Sequence, residues 1–188
     1  MNSPRIKAIQ QRIGMCPDDC DGFFGTRSIA ACQAYLHSLM PTPNPWPDQS
    51  QASLRSFYGQ PGDEDQLVNL KVSDVLYGGE PVKTIRCHGK VAASLGRIIG
   101  ALAASPSAWV LSRYDGCFNF RNMRGGSLPS LHSTGAAIDF CSATNGNSDH
   151  WPDVAEMPLA VIEIFAREGW LSAGASWGRD AMHFQATR

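Results

Sequence analysis

A chain of 188 residues is long enough for one well-filled core, or for a small module followed by one domain. It is 43% hydrophobic and 18% charged with a formal net charge of −1, a soluble composition without the electrostatic footprint that nucleic acid or an anionic membrane requires. No apolar run approaches the roughly 20 residues that span a bilayer, so no membrane insertion is expected. The opening Met1-Asn2-Ser3-Pro4-Arg5-Ile6-Lys7 has no apolar stretch of signal-peptide type, so the expectation is synthesis in a cytoplasm.

Residues 1–40 read as a first unit. Ile6, Ile9, Gln10 and Ile13 recur at helical spacing, and Gly14 is placed to end that helix. A polar turn over Pro17–Gly22 leads to Phe23-Phe24-Gly25. Thr26 then caps a second helix, with Ile29, Ala30, Ala31 and Tyr35 on or near one face. Ile-x-x-Ile-Gln-x-x-Ile-Gly followed by Asp-Gly-x-Phe-Gly-x-x-Ser-x-x-Ala resembles the small helical peptidoglycan-binding domain that accompanies many wall hydrolases. The resemblance implies a wall-binding role; a helical hairpin that only packs on the catalytic domain is the alternative. The loop bearing Cys16 and Cys20 departs from the pattern. All six cysteines are expected as free thiols, with a Cys16–Cys20 or Cys20–Cys32 bridge as the alternative.

Residues 41–50 read as a linker: prolines at 41, 43, 45 and 47 favour an extended, semi-rigid spacer, and Trp46 is expected to dock on a neighbour. The remaining 51–188 read as one domain. A short helix is expected over Ala52–Tyr58, extended chain over Leu67–Leu76, and an amphipathic helix over 87–104, carried by Val91, Leu95, Ile98, Ile99 and Leu102. His88, at the start of that helix, reads as a capping or packing residue. Ala108–Ser112 reads as a short strand, Ala136–Phe140 as a buried strand, and Asp153–Arg167 as a helix ended near Gly169. His150 reads as an exposed loop residue.

The chemistry concentrates in Ser130-Leu131-His132-Ser133-Thr134-Gly135-Ala136-Ala137-Ile138-Asp139 and in Asp180-Ala181-Met182-His183. Two imidazoles and a carboxylate, His132, His183 and Asp139, form a catalytic zinc set with one position left for water, and Asp180 is a spare carboxylate suited to a general base. Ser-x-His-x-x-Gly-x-Ala-x-Asp followed by Asp-x-x-His resembles the zinc peptidases of bacterial peptidoglycan. These include D-alanyl-D-alanine carboxypeptidases and the L-alanyl-D-glutamate endopeptidases of phage lysins, and the likeness spans roughly residues 85–186.

The family resemblance implies a zinc cofactor and an arginine that polarises the scissile carbonyl. Arg121 is the first choice for that role and Arg124 the second. It further implies that Ser130 orders the loop or a ligand, and that Trp177 walls the pocket. The expected architecture is α+β: a small antiparallel sheet carrying the zinc site, flanking helices, and a small helical wall-binding module in front. The expected protein is a monomeric peptidoglycan hydrolase, an endolysin of L-alanyl-D-glutamate endopeptidase type that reaches the wall after release. A D-alanyl-D-alanine carboxypeptidase is the close alternative. A non-haem iron oxygenase, which also uses two histidines and a carboxylate, and a non-catalytic wall-binding protein are the remote ones.

Overall fold

The computed structural model describes residues 3–188, so the reading of Met1 and Asn2 as part of a leader-free N-terminus lies outside the described residues. Helix α1 (Pro4–Arg12) starts where Ser3 accepts a hydrogen bond from the Ile6 amide and Pro4 takes the first turn, where its missing N–H costs nothing. Its buried face carries Ile6, Ile9 and Gln10. The Gln10 amide donates to Asp21, Ser28 and the Phe23 carbonyl and accepts from the Gly22 amide, so one side chain holds the whole Asp-Gly-x-Phe-Gly turn. Helix α2 (Thr26–Leu39) comes next, capped from Gly25 rather than from Thr26.

Helix α3 (Gln51–Tyr58) precedes a ladder of β1 (Leu67–Lys71) with β4 (Thr84–His88), and a small hairpin of β2 (Leu76–Tyr77) with β3 (Glu80–Pro81). His88 caps helix α4 (Gly89–Ala103) by accepting from the Lys90 amide, the role expected for it. The sheet that matters for function has four antiparallel strands in the order β5 (Tyr114–Gly116), β6 (Ala137–Phe140), β8 (His183–Gln185), β7 (Leu171–Ser172). Helix α5 (Leu159–Arg167) covers one face: Phe165 stacks on Phe184 at 3.8 Å between ring centroids and meets Phe140 at 6.3 Å. Side chains alternate along a strand, so Asp139 and His183, neighbours of those phenylalanines, point to the other face. The short helix α6 (Ala173–Trp177) links β7 to the loop before β8. No helix among the described residues is long and apolar enough to cross a membrane.

Residues 4–40 contribute Ile6, Ile9, Ile13, Phe24, Cys32 and Leu36 to the same contiguous core as the sheet. Arg12 makes a bidentate ion pair with Glu163 on α5, Tyr35 donates to the same carboxylate, Arg5 reaches the Ala155 carbonyl, and Phe24 packs edge-on against Trp151. The proline-rich stretch is equally anchored. Trp46 is buried against Phe57 and Trp170 and donates its indole N–H to the Glu168 carbonyl at 2.7 Å. All six cysteines are free.

Two expected elements differ. Ala108–Arg113 is a 3-10 turn rather than a strand: Val110 and Leu111 are adjacent and both buried, which the alternating faces of a half-buried strand do not permit. The helix expected from Asp153 begins only at Leu159, because Pro158 keeps Met157 out of helical geometry and serves as the cap.

Candidate metal centre and cleft

In the β6–β8 ladder Asp139 pairs directly with His183, which sets carboxylate and imidazole side by side on the face away from α5. His132 arrives from the other direction, on a 3-10 turn (Leu131–Thr134). Ser130 caps that turn by accepting from the His132 amide. Gly135 ends the turn at φ +69°, where a Cβ would lie 2.8 Å from the His88 backbone nitrogen. Only glycine lets the loop pass this close to β4 and still turn into β6.

Three donor atoms converge. His132 Nε2 lies 3.1 Å from His183 Nδ1 and 3.2 Å from Asp139 Oδ1, and His183 Nδ1 lies 3.0 Å from Asp139 Oδ1. The distal ring nitrogens are engaged elsewhere: His132 Nδ1 with the Cys117 carbonyl at 2.6 Å, and His183 Nε2 with Gln185 Oε1 at 3.1 Å. Such outer partners are what metal-bound imidazoles require. The donor set fits a cation. Tetrahedral bonds of about 2.0–2.2 Å need ligand atoms roughly 3.3–3.5 Å apart, close to this triangle, and two nitrogens with one carboxylate oxygen suit zinc. Burial alone would raise the Asp139 carboxyl, but hydrogen bonds from His132 and His183 hold it well below the ordinary carboxylate range. Burial would lower His183, and the hydrogen bond and charge of Asp139 instead raise it.

The open side of the triad faces a cleft of about 190 Å³ lined by Arg121, Arg124, Ser130, Asp139, Trp177, Asp180, His183 and Gln185 among others. The sequence-expected site residues are therefore brought together. Trp177, about half exposed, lies nearly parallel to the His183 ring at 6.3 Å. Arg124 donates to Asn147 across the cleft, and the Arg121 guanidinium donates to the Asn122 carbonyl. Asp180 adopts φ +60°, and its carbonyl accepts from the His183 amide, so the chain turns between the two residues rather than running on as a strand. One Asp180 oxygen is buried without a hydrogen-bond partner. Burial first, and the nearby Asp139 charge, raise its carboxyl above the ordinary range, against the pull of His183 and Arg124.

Sequence reasoning passed over Gln185, Asn147 and the Cys117 carbonyl. Gln185 had a signal, since it lies two residues beyond His183 on the same strand face; the other two depend on loop paths that no local pattern announces.

Residues 124–186 match the profile of a family described as D-alanyl-D-alanine carboxypeptidase. That segment, a third of the chain, holds His132, Asp139, Asp180 and His183 but not Arg121. No curated protein and no solved structure matches the chain.

Proposed function

We propose that the protein is a zinc-dependent peptidase that hydrolyses stem peptides of bacterial peptidoglycan, as an endolysin of L-alanyl-D-glutamate endopeptidase type. The observation that carries this reading is the convergence of His132 Nε2, His183 Nδ1 and Asp139 Oδ1 beside a buried, unpartnered Asp180 oxygen, within the segment that resembles the carboxypeptidase family. Zinc held by these three residues would supply Lewis acidity, activating a water and polarising the scissile carbonyl. Asp180 takes a proton from the attacking water and returns it to the leaving amine as the C–N bond breaks. One of its oxygens is buried without a hydrogen-bond partner, which leaves it free to carry that proton. Arg121 and Arg124, whose guanidiniums line the cleft without a carboxylate partner, steady the oxyanion or the peptide. Ser130 orders the His132 turn, and Trp177 walls the pocket. Residues 1–40 hold the enzyme on the wall, which it reaches as a monomer after release from the cytoplasm.

The description of the matching family favours a second reading, a D-alanyl-D-alanine carboxypeptidase. Digestion of purified peptidoglycan by the zinc-loaded protein, with mass analysis of the products, separates the two. New N-terminal D-glutamate supports the endopeptidase, and released free D-alanine supports the carboxypeptidase. Neither product, or stoichiometric iron in place of zinc in the purified protein, overturns the proposal.

A further inference from the structure

The two histidines of the triad are held by different means. His132 gives its Nδ1–H to a backbone carbonyl, that of Cys117, so that the neutral ring turns its Nε2 lone pair to the other donors. His183 is used the other way round: its Nδ1 faces Asp139 and His132, and to bind a cation there it must offer its lone pair, with its hydrogen on Nε2. That hydrogen is buried and needs an acceptor, and Gln185 Oε1 stands 3.1 Å away. His183 and Gln185 are the first and third residues of β8, so the strand's period of two sets both side chains on the same face. An amide can present either end. Gln185 is itself buried, its nitrogen donates to the fully buried Thr187 Oγ1 at 2.7 Å, and its oxygen faces His183, whose Nε2–H only an acceptor can satisfy.

We propose that Gln185, anchored by Thr187, is the positioning residue that fixes His183 in the Nε2–H tautomer and thereby makes Nδ1 its ligating atom. The inference rests on the reading of the triad as a zinc site. Without an acceptor at position 185 the buried Nε2–H would be left unpaired, and the metal-free tautomer, with its hydrogen on Nδ1 and donated to Asp139, would compete with the cation.

The test uses the full chain. Zinc affinity is measured by chelator competition for wild type, Gln185→Met, Gln185→Glu and Thr187→Val. Nitrogen-correlated NMR spectra of the zinc-loaded wild type then report which His183 ring nitrogen carries the hydrogen. Gln185→Met, similar in size but without an oxygen acceptor, is expected to weaken zinc binding about 10- to 100-fold. Gln185→Glu keeps an acceptor and should stay close to wild type. Thr187→Val removes the hydroxyl that anchors the amide and should cost a few-fold, and it carries the test alone if Gln185→Met does not fold. Wild-type affinity in both Gln185→Met and Thr187→Val overturns the proposal. So does an equal loss in Gln185→Met and Gln185→Glu, or a wild-type spectrum with the hydrogen on Nδ1. A wild-type protein that binds no zinc removes the metal reading itself, a result distinct from any of these.

Discussion

Asp180 combines two unfavourable features, a left-handed backbone at φ +60° and a buried carboxylate oxygen without a partner. Strain of this kind costs on the order of 1–3 kcal/mol and persists where the surroundings enforce it. Here the turn that stores it also aims the carboxylate over the cleft. Asp180→Asn is expected to keep its zinc while turnover falls by on the order of 10²–10⁴, the usual contribution of a general base. Loss of zinc from that variant would instead move Asp180 into the metal shell. Because the folded carboxyl is raised, wild-type stability is lost as pH rises from the unfolded value of about 3.9 through the folded one. Metal-free Asp180→Asn should therefore melt higher than wild type at neutral pH, with the gap closing below about pH 3 in thermal scans. Gly135→Ala acts on the other loop. It forces a Cβ toward the His88 backbone at positive φ and should cost at least roughly 1 kcal/mol in denaturant unfolding, with weaker zinc binding because the His132 turn shifts. The grouping of His132, Asp139 and His183, which the structure brings together, was legible from residue type and spacing. The αL backbone at Asp180 was not, because an aspartate tolerates that conformation without specifying it.

At the scale of elements, legibility followed periodicity. The α4 face of Val91, Leu95, Ile98 and Leu102 is regular over about three turns, and the helix formed within a residue or two of its expected limits. The apolar run Ala108–Leu111 is too short for its period to separate a strand from a 3-10 turn, and packing decided. The pairing of α1 and α2 with α5 was also illegible, since Glu163 in a helical stretch gives no hint of the distant Arg12 and Tyr35 that claim it. The Arg12 hydrogen bond, helped by Tyr35 and opposed by burial, lowers the Glu163 carboxyl from its ordinary value. A depressed carboxyl contributes stability above its unfolded pKa, about 4.3, and that contribution is lost as pH falls through the folded value. Glu163→Gln should accordingly lower the melting temperature at pH 7 by on the order of 2–4 °C and make little difference near pH 3. An equal deficit at both pH values would show that packing, and not the carboxylate charge, holds these helices together.

At the scale of the whole molecule, the shared core changes what removal of the first unit can test. Ile6, Ile9, Ile13, Phe24, Cys32 and Leu36 are buried with residues of the sheet domain, and Trp46 closes onto Trp170. Each large apolar side chain among them withdraws roughly 1.5–3 kcal/mol worth of surface from water. A chain beginning at residue 48 would strip cover from α5 and expose Trp151 and Trp170. It is expected to melt more than roughly 10 °C below the full chain and to bind an apolar dye, even though no proposed catalytic group lies before Arg121. Lost sacculus binding by such a fragment would therefore report unfolding as readily as a missing wall contact. A surface substitution separates the two. Phe23 is 69% exposed and, with Asp21, Thr26 and Arg27, borders a cleft of about 280 Å³ at the Asp-Gly-x-Phe-Gly turn. Phe23→Ser leaves the core intact, so the melting temperature and the hydrolysis of small soluble stem peptides should stay near wild type. Binding to intact sacculi in a pull-down should fall several-fold, because tethering raises the local concentration of substrate. Unchanged sacculus binding by Phe23→Ser, and by Arg27→Ala beside it, would leave residues 4–40 with a packing role alone.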